Sequence, residues 1–330
     1  MQIGLRNVKP RSDLSERLRT GRVLPVVGAS LSYELILAVK QEHLAQSWAE
    51  KLDLPRNEGD PACRIARYEY YRSGDDLQVK EGYLLFLKEA LLKLAKSSGV
   101  GQDEIDEAAR ELDYVAFTEF ARRLGYPNYD NDQYRNPLLL LANLPITTYL
   151  TTSFHGLLQT ALLRAGREPR TAVCCWNDAA ANLVRPEHRL DPDYRPTVQA
   201  PLVFHVYGHD EYPESLVLSE DDYLSFLESI AEDPWKDAQD RVMPGVVLDA
   251  WTSSSLLCLG FYPEALEFKT LWQGLELSSP DGPDRRGTFQ CSDLPEQAVF
   301  RQYHEQYLTN RRLDVYWGTA VDLLRTLHER

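Results

Sequence analysis

The chain has 330 residues, of which 43% are hydrophobic and 26% are charged, a composition that is ordinary for a globular protein with a large core. Its formal net charge of −14 argues against the basic surface that binds duplex nucleic acid, so we expect no nucleic-acid partner, although backbone amides could still hold a small anion. No run approaches the ~18 apolar residues of a membrane helix, and the first residues lack the apolar core of a signal peptide. We therefore expect a cytoplasmic protein that does not bind a membrane.

The cysteines are odd in number and form no CxxC pair. This pattern predicts reduced, partly buried thiols and no structural zinc site. A reactive thiol at Cys174-Cys175 is the alternative. The five positions are Cys63, Cys174, Cys175, Cys258 and Cys291.

A short helix is predicted over residues 11–21, followed by the stretch VLPVVGASLS over residues 23–32. Apart from Pro25, the stretch begins with apolar residues that fit a buried strand, and Gly28-Ala29-Ser30 then forms a tight turn into a helix. Backbone N–H groups in such a turn can approach a pyrophosphate, and the helix N-terminus favours negative charge. An ordinary strand-to-helix turn is the alternative.

Helical periodicity dominates residues 41–142, for example at Tyr83, Leu87 and Leu91. Turn signals at Asn57-Glu58-Gly59 and at Gly125-Tyr126-Pro127-Asn128 separate the helices. We therefore predict a helical insertion subdomain over 41–142, and a Rossmann-like domain made of residues 1–40 and 143–330.

Strand and helix signals alternate again after Pro145, which predicts a mostly parallel sheet with helices on both faces. Residues 177–200 look like a loop, and Ser219 followed by Glu220-Asp221-Asp222 predicts the N-cap of an acidic helix. Ligands bind beyond the carboxyl ends of the strands in such α/β sheets. The later strands are predicted at 146–152, 169–175, 202–206, 216–218, 256–259, 288–291 and 315–317.

The strand ends together resemble the SIR2-like (sirtuin-like) family, in particular its bacterial anti-phage defence branch. The family's GAGxS turn is similar to Gly28–Ser32, and its TTNYD segment is similar to Thr151–His155. Its His-Gly pair corresponds to Tyr207-Gly208, within FHVYGHDEYPESLVLSEDDY. Its later G-F/Y-S segment resembles Gly260-Phe261-Tyr262, and Tyr316-Trp317-Gly318 resembles a YWG of this branch. The resemblance spans about residues 20–330, including the helical insertion.

This resemblance implies an α/β Rossmann-like fold and NAD as substrate or ligand. It assigns cofactor binding to the backbone and small side chains at the strand ends. Those positions are Gly28, Ala29, Ser30, Ser32, Thr151, Thr152, Gly208, Gly260, Phe261, Tyr316, Trp317 and Gly318.

The departures from the family fall on its catalytic positions. Ser153 replaces the asparagine that positions water or substrate, and Tyr207 replaces the acid/base histidine. A tyrosine with its ordinary pKa of ~10 is a poor general base at neutral pH. His205 and His209 flank Tyr207, and His205 is expected on the same strand face, so a histidine could take over the role. Ser153, His205, Tyr207 and His209 are the catalytic candidates, with buried core histidines as the alternative.

Three functions follow from this resemblance. The one we favour is an NAD⁺ glycohydrolase that depletes the cofactor during phage infection. The second is a degenerate module that binds NAD or an ADP-ribose derivative without turnover. The third is an oligomerising scaffold, and in each case we expect a defence-system partner protein or a homo-oligomer.

Overall fold

The computed structural model describes residues 12–37, 40–54, 60–127, 136–237, 241–278, 286–292, 295 and 297–329. Within these residues, strands and helices alternate outside a purely helical stretch that lies between the first and second strands. The strands are β1 (Val23–Val27), β2 (Thr148–Thr151), β3 (Arg170–Val173), β4 (Leu202–His205), β5 (Ser255–Leu259), β6 (Gly287–Cys291) and β7 (Leu313–Trp317). The helices are α1 (Ser12–Arg19), α2 (Ala29–Leu37), α3 (Gln41–Lys51), α4 (Ala62–Ser73), α5 (Asp76–Ser97), α6 (Gln102–Arg110), α7 (Phe117–Arg123), α8 (Pro137–Ala142), α9 (Leu157–Arg164), α10 (Asp178–Leu183), α11 (Glu220–Ala231), α12 (Gly245–Ser253), α13 (Leu266–Ser278), α14 (Ala298–Thr309) and α15 (Ala320–His328).

The seven described strands form one parallel sheet in the order β3-β4-β2-β1-β5-β6-β7. Every residue of β1, β2, β4 and β5 is buried, as expected for parallel strands covered by helices on both faces. The pairing of β1 with β2 covers only Val26 and Val27, which fits the missing N–H of Pro25. The predicted α/β Rossmann-like fold is confirmed.

The strand order reverses at β1, whose neighbours β2 and β5 lead to opposite edges of the sheet. Side chains alternate along β1, so that Val23 and Val27 contact one apolar cluster while Leu24 and Val26 contact another. The reversal creates a crevice beyond the carboxyl ends of β1, β2 and β5, which is where open α/β sheets bind ligands.

Six helices, α3 to α8, separate α2 from β2, with no strand in the described part of this region. They share one apolar cluster with the Val23 and Val27 face of the sheet. The turn signal at Asn57-Glu58-Gly59 and residue Asn128 lie outside the described residues, whereas Gly125 turns the chain with φ +76°. The division into residues 41–142 and the remainder stays a prediction.

Two predictions between β3 and α11 were wrong. Residues 177–200 contain helix α10, which Asn177 caps by accepting from the Ala180 N–H. Residues 216–218 form no strand, although the Val217 N–H donates to the Tyr207 carbonyl at 3.1 Å. The chain leaves the sheet at Gly208, where φ is +88° and a Cβ would lie 2.3 Å from the Ser215 carbonyl oxygen.

The predicted N-cap at Ser219 is confirmed. Its hydroxyl accepts from the Asp222 N–H, and the Asp222 carboxylate accepts from the Ser219 N–H. In the part of the chain that the structure describes, no helix has both the length and the apolarity needed to cross a membrane.

Candidate functional site

The turn between β1 and α2 is pressed against the end of β5. The Gly28 N–H donates to the Leu259 carbonyl at 2.7 Å, and the Ser30 hydroxyl donates to the Gly260 carbonyl. A Cβ on Gly28 would lie 2.1 Å from the Gly260 carbonyl oxygen. Glycine is therefore required at position 28 by the approach of two backbone segments, before any ligand is considered.

The first N–H group of helix α2 is already occupied by a protein carboxylate. The Ala29 N–H donates to Oε1 of Glu267 at 3.0 Å, and the Thr152 hydroxyl donates to the same oxygen. Glu267 lies on α13 and is only 6% exposed. Burial raises the pKa of its carboxyl group, and the two hydrogen bonds oppose that rise. The Ala29 N–H, which was predicted to approach a phosphate, thus already has a carboxylate partner within the protein.

A cavity of about 650 Å³ opens beyond the ends of β1, β2 and β4, between the sheet and helices α3 to α5. Among the described residues that line it, the charged ones are almost all acidic, and the one cation, Arg64, contacts Asp60 at 3.0 Å and Glu220 at 3.2 Å. The aromatic residues around it are Tyr33, Tyr83, Phe154, Tyr207, Tyr223 and Tyr262. The acidic ones are Glu42, Asp60, Glu220, Glu264 and Glu267.

A smaller cavity of about 180 Å³ lies beyond β5 and β6, and Tyr262 lines both cavities. Ser30, Leu31 and Gly260 form the side that faces the start of α2. Gln290 is buried beneath it, donates to the Gly318 carbonyl at 2.8 Å and accepts from the Gly260 N–H at 3.3 Å. The two cavities together follow the crevice at the reversal of strand order.

Six of the residues predicted from the sequence line one of these cavities. Ala29, Thr152 and Tyr207 line the larger cavity, and Ser30, Gly260 and Phe261 line the smaller one. The structure places the other predicted positions elsewhere, as buried or packed parts of the strand ends. These are Gly28, Ser32, Thr151, Ser153, His205, Gly208, His209, Tyr316, Trp317 and Gly318.

Tyr207 lines the larger cavity, and its hydroxyl group is hydrogen-bonded within the protein. The hydroxyl donates to the backbone carbonyl of Glu267 at 2.7 Å and lies 2.7 Å from the Thr270 hydroxyl. Burial raises the pKa of Tyr207 well above its usual value. This side chain is therefore placed as a packing and hydrogen-bonding residue.

The expectation that His205 shares a strand face with Tyr207 was wrong. Strand β4 ends at His205, and the turn that follows sends the Tyr207 ring onto Phe226, at 4.9 Å between centroids. His205 is fully buried on the other side, where Nδ1 contacts the Ser153 carbonyl at 2.8 Å and Nε2 contacts the Gln159 amide at 2.6 Å. Nδ1–H donating and Nε2 accepting satisfies both contacts with a neutral ring.

His209 and His155 are buried beside His205. The rings of His205 and His209 are 4.7 Å apart, and Nδ1 of His209 lies 3.1 Å from the Asp210 carboxylate. Burial lowers the pKa of His155 and of His209 to about 3, and lowers that of His205 well below its usual value. These three histidines are neutral at physiological pH and form a polar core behind the cavity.

The remaining predicted positions lie away from the lining of the two cavities. Ser153 is buried, and its hydroxyl group has no partner among the described residues. Tyr316, Trp317 and Gly318 end the edge strand β7, three strands from β1, which at the usual strand spacing is roughly 14 Å. Cys174 is buried and Cys175 half-buried, and burial raises the pKa of both thiols, which argues against a reactive thiolate there.

Glu267 is a candidate site residue that the sequence interpretation did not include. A weak signal was available, because Glu267 and Thr270 are polar residues spaced i, i+3 within the buried part of α13. Their contacts could not be inferred, since Ala29 and Thr152 are 238 and 115 residues away in the chain.

A comparison with curated proteins finds no match. The family model described as a SIR2-like domain matches residues 147–311, which is half of the chain. The match covers β2 to β6 and helix α14, and so includes the strand ends at Thr152, Tyr207 and Gly260. The chain belongs to the SIR2-like domain family.

Proposed function

We propose that this protein binds an NAD-type dinucleotide across the two adjoining cavities. The main support for the proposal is the position of the cavities. Both open at the carboxyl ends of central strands, where the strand order reverses. Tyr262 connects them, and the larger cavity is rich in aromatic side chains that suit a planar ring. Membership of the SIR2-like family supports the same class of ligand.

The reaction we propose is hydrolysis of the nicotinamide glycosidic bond. Water bonds to C1′ of the ribose while the C1′–N bond breaks, which gives ADP-ribose, nicotinamide and a proton. Ser153, His205 and His209 do not line the cavities, so a group other than these must orient the water. Thr152 and Glu267 are the polar groups at the base of the larger cavity.

Binding without turnover is the second candidate, and one observation favours it. The Tyr207 hydroxyl is held by the Glu267 carbonyl and by Thr270, so no acid/base group occupies the position where the family has its histidine. Such a module would hold NAD or an ADP-ribose derivative and pass a signal to a partner.

Mass spectrometry of NAD⁺ incubated with the purified protein distinguishes these candidates. Nicotinamide and ADP-ribose released in equal amounts support the hydrolase. Thermal stabilisation by NAD⁺ without product supports the binding module. If NAD⁺ causes neither stabilisation nor cleavage, the dinucleotide proposal is wrong and a scaffold role is favoured.

We propose further that the protein acts in the cytoplasm as part of bacterial anti-phage defence, with a partner protein or as a homo-oligomer. The similarity of residues 204–223 and of Tyr316-Trp317-Gly318 to that branch of the family supports this role. Measuring cellular NAD⁺ after phage infection, with and without the gene, tests it. An unchanged NAD⁺ level would contradict cofactor depletion.

A further inference from the structure

The larger cavity has an electrostatic character that does not suit a phosphate group. Among the described residues, five carboxylates line it, and the one guanidinium, Arg64, is already paired with two of them, Asp60 and Glu220. The Ala29 N–H, which begins helix α2, donates to Glu267. Among the described residues at this end of the crevice, the Arg64 guanidinium and the Ala29 N–H are therefore already engaged by carboxylates of the protein.

Glu267 holds a carboxylate at the base of this cavity. Both of its described hydrogen bonds, from Ala29 and Thr152, fall on Oε1, and no donor in the described residues contacts Oε2. Its side chain is more than nine-tenths buried and still lines the cavity. A buried carboxylate with one unpartnered oxygen is stabilised by any cation that enters beside it.

Tyrosine side chains line the same cavity as this carboxylate. The hydroxyl groups of Tyr33 and Tyr83 are 2.9 Å apart, and burial raises the pKa of both, with the Glu267 charge as a smaller cause. Burial and then Glu267 likewise raise the pKa of Tyr223. Aromatic faces attract cations, and the attraction is strongest where water is excluded.

We propose that the larger cavity selects a positively charged aromatic ring and that Glu267 is the residue that determines this selectivity. The inference rests on the proposed function, in which the charged ring is the oxidised nicotinamide of NAD⁺. The diphosphate then lies away from Glu267, toward Ser30 and Leu31 of the smaller cavity.

The experiment compares NAD⁺ with NADH, which carries the same diphosphate but a neutral nicotinamide ring. Calorimetric titration is carried out at pH 8, because burial raises the pKa of the Glu267 carboxyl group and a higher pH favours its ionised form. We expect wild type to bind NAD⁺ about tenfold more tightly than NADH, and Glu267→Gln to lose about that factor. Glu228→Gln is the control and should leave the ratio unchanged, because Glu228 is an exposed carboxylate on α11 and is not among the residues that line either cavity.

Three outcomes would overturn the inference. Wild type that binds NADH as tightly as NAD⁺ has no charge selectivity, whatever the variants do. An unchanged ratio in Glu267→Gln would remove Glu267 as its source. Equal tightening of both ligands in that variant would mean that Glu267 merely repels the diphosphate.

A second pair of probes separates this inference from the proposed function. The 1-methylnicotinamide cation and neutral nicotinamide carry no phosphate, and both reach only a ring-binding site. Selective binding of the cation supports the inference even if NAD⁺ itself does not bind, which would refute the dinucleotide proposal alone. Absence of any preference for the cation, together with no binding of NAD⁺, refutes both.

Discussion

Single residues at the strand ends serve the packing of the backbone before they serve a ligand. Gly28 and Gly260 illustrate this, because a Cβ on Gly28 would meet the Gly260 carbonyl, and a Cβ on Gly260 would lie 2.7 Å from the Leu31 nitrogen. Gly260 also has φ +72°, where other residues are strained. A motif of small residues at this turn can therefore indicate the close approach of β1 and β5 as well as a pyrophosphate site.

Gly28→Ala is accordingly expected to weaken folding and not only ligand binding. The added Cβ overlaps backbone atoms that cannot move aside, so the free energy of unfolding should fall by roughly 1–3 kcal/mol or more. Urea denaturation monitored by circular dichroism measures the change. Gly82→Ala in helix α5 is the control, since nothing lies within 4 Å of its Cβ position, and it should stabilise the protein by up to about 1 kcal/mol. If Gly28→Ala kept its stability but lost NAD⁺ binding, the space beside Gly28 would be needed by the ligand and not by the packing of the backbone.

At the scale of elements, charged contacts join the helical insertion to the start of helix α11. Arg64 and Arg67 contact Glu220, and the fully buried Lys80 ammonium lies 3.0 Å from Asp222 and 2.7 Å from Asp76. The acidic run predicted only as helix-cap chemistry thus also binds α4 and α5 to the sheet domain. These contacts keep the larger cavity enclosed on the side of the insertion.

Lys80→Met should therefore be strongly destabilising. It leaves the buried Asp222 carboxylate without its cation, a change that typically costs about 3–5 kcal/mol. Lys51→Met provides the matched control, because Lys51 and its partner Glu89 are each about 40% exposed and the pair should contribute at most about 1 kcal/mol. Equal urea midpoints for the two variants would contradict a structural role for the Lys80 contact.

The sequence predicted the elements better than it predicted the site, and particular residues explain why. The runs at β1, β4 and β5 are apolar throughout, so burial on both faces could be inferred locally. Leu216–Leu218 has the same local pattern, but the left-handed turn at Gly208 has already taken the chain out of the sheet. Glu267 accepts hydrogen bonds from Ala29 and Thr152, which are distant in the chain, so no local sequence pattern could predict these contacts.

Across the whole molecule, buried titratable groups make stability depend on pH in opposing ways. His155, His205 and His209 are neutral in the fold, with pKa values lowered mainly by burial, so acid must unfold the protein to protonate them. Burial instead raises the pKa of Asp210, to about 6, so its protonation favours the fold as the pH falls. Burial also raises the pKa of Glu267, which opposes the histidines in the same way. The contribution of the histidines is lost progressively below about pH 6.5, while the protonation of these carboxyl groups offsets part of that loss.

His155 allows one of these contributions to be measured alone. Its ring packs 5.4 Å from Phe154 and 6.1 Å from Phe117 between centroids, and Nδ1 has no partner among the described residues, so phenylalanine should be accommodated. The folded pKa of about 3 lies far below the unfolded value near 6.5. The free energy of unfolding of wild type therefore falls by about 1.4 kcal/mol per pH unit below 6.5 because of His155, and His155→Phe lacks this contribution. Urea denaturation at pH 7 and pH 5 should show the variant gaining about 2 kcal/mol relative to wild type, because every other titrating group is common to both proteins. His43→Gln, at an exposed position on α3, should show no such gain. Parallel pH profiles for wild type and His155→Phe would mean that His155 binds its proton equally well in the folded and the unfolded protein, so that the polar core behind the cavity carries charge at pH 5.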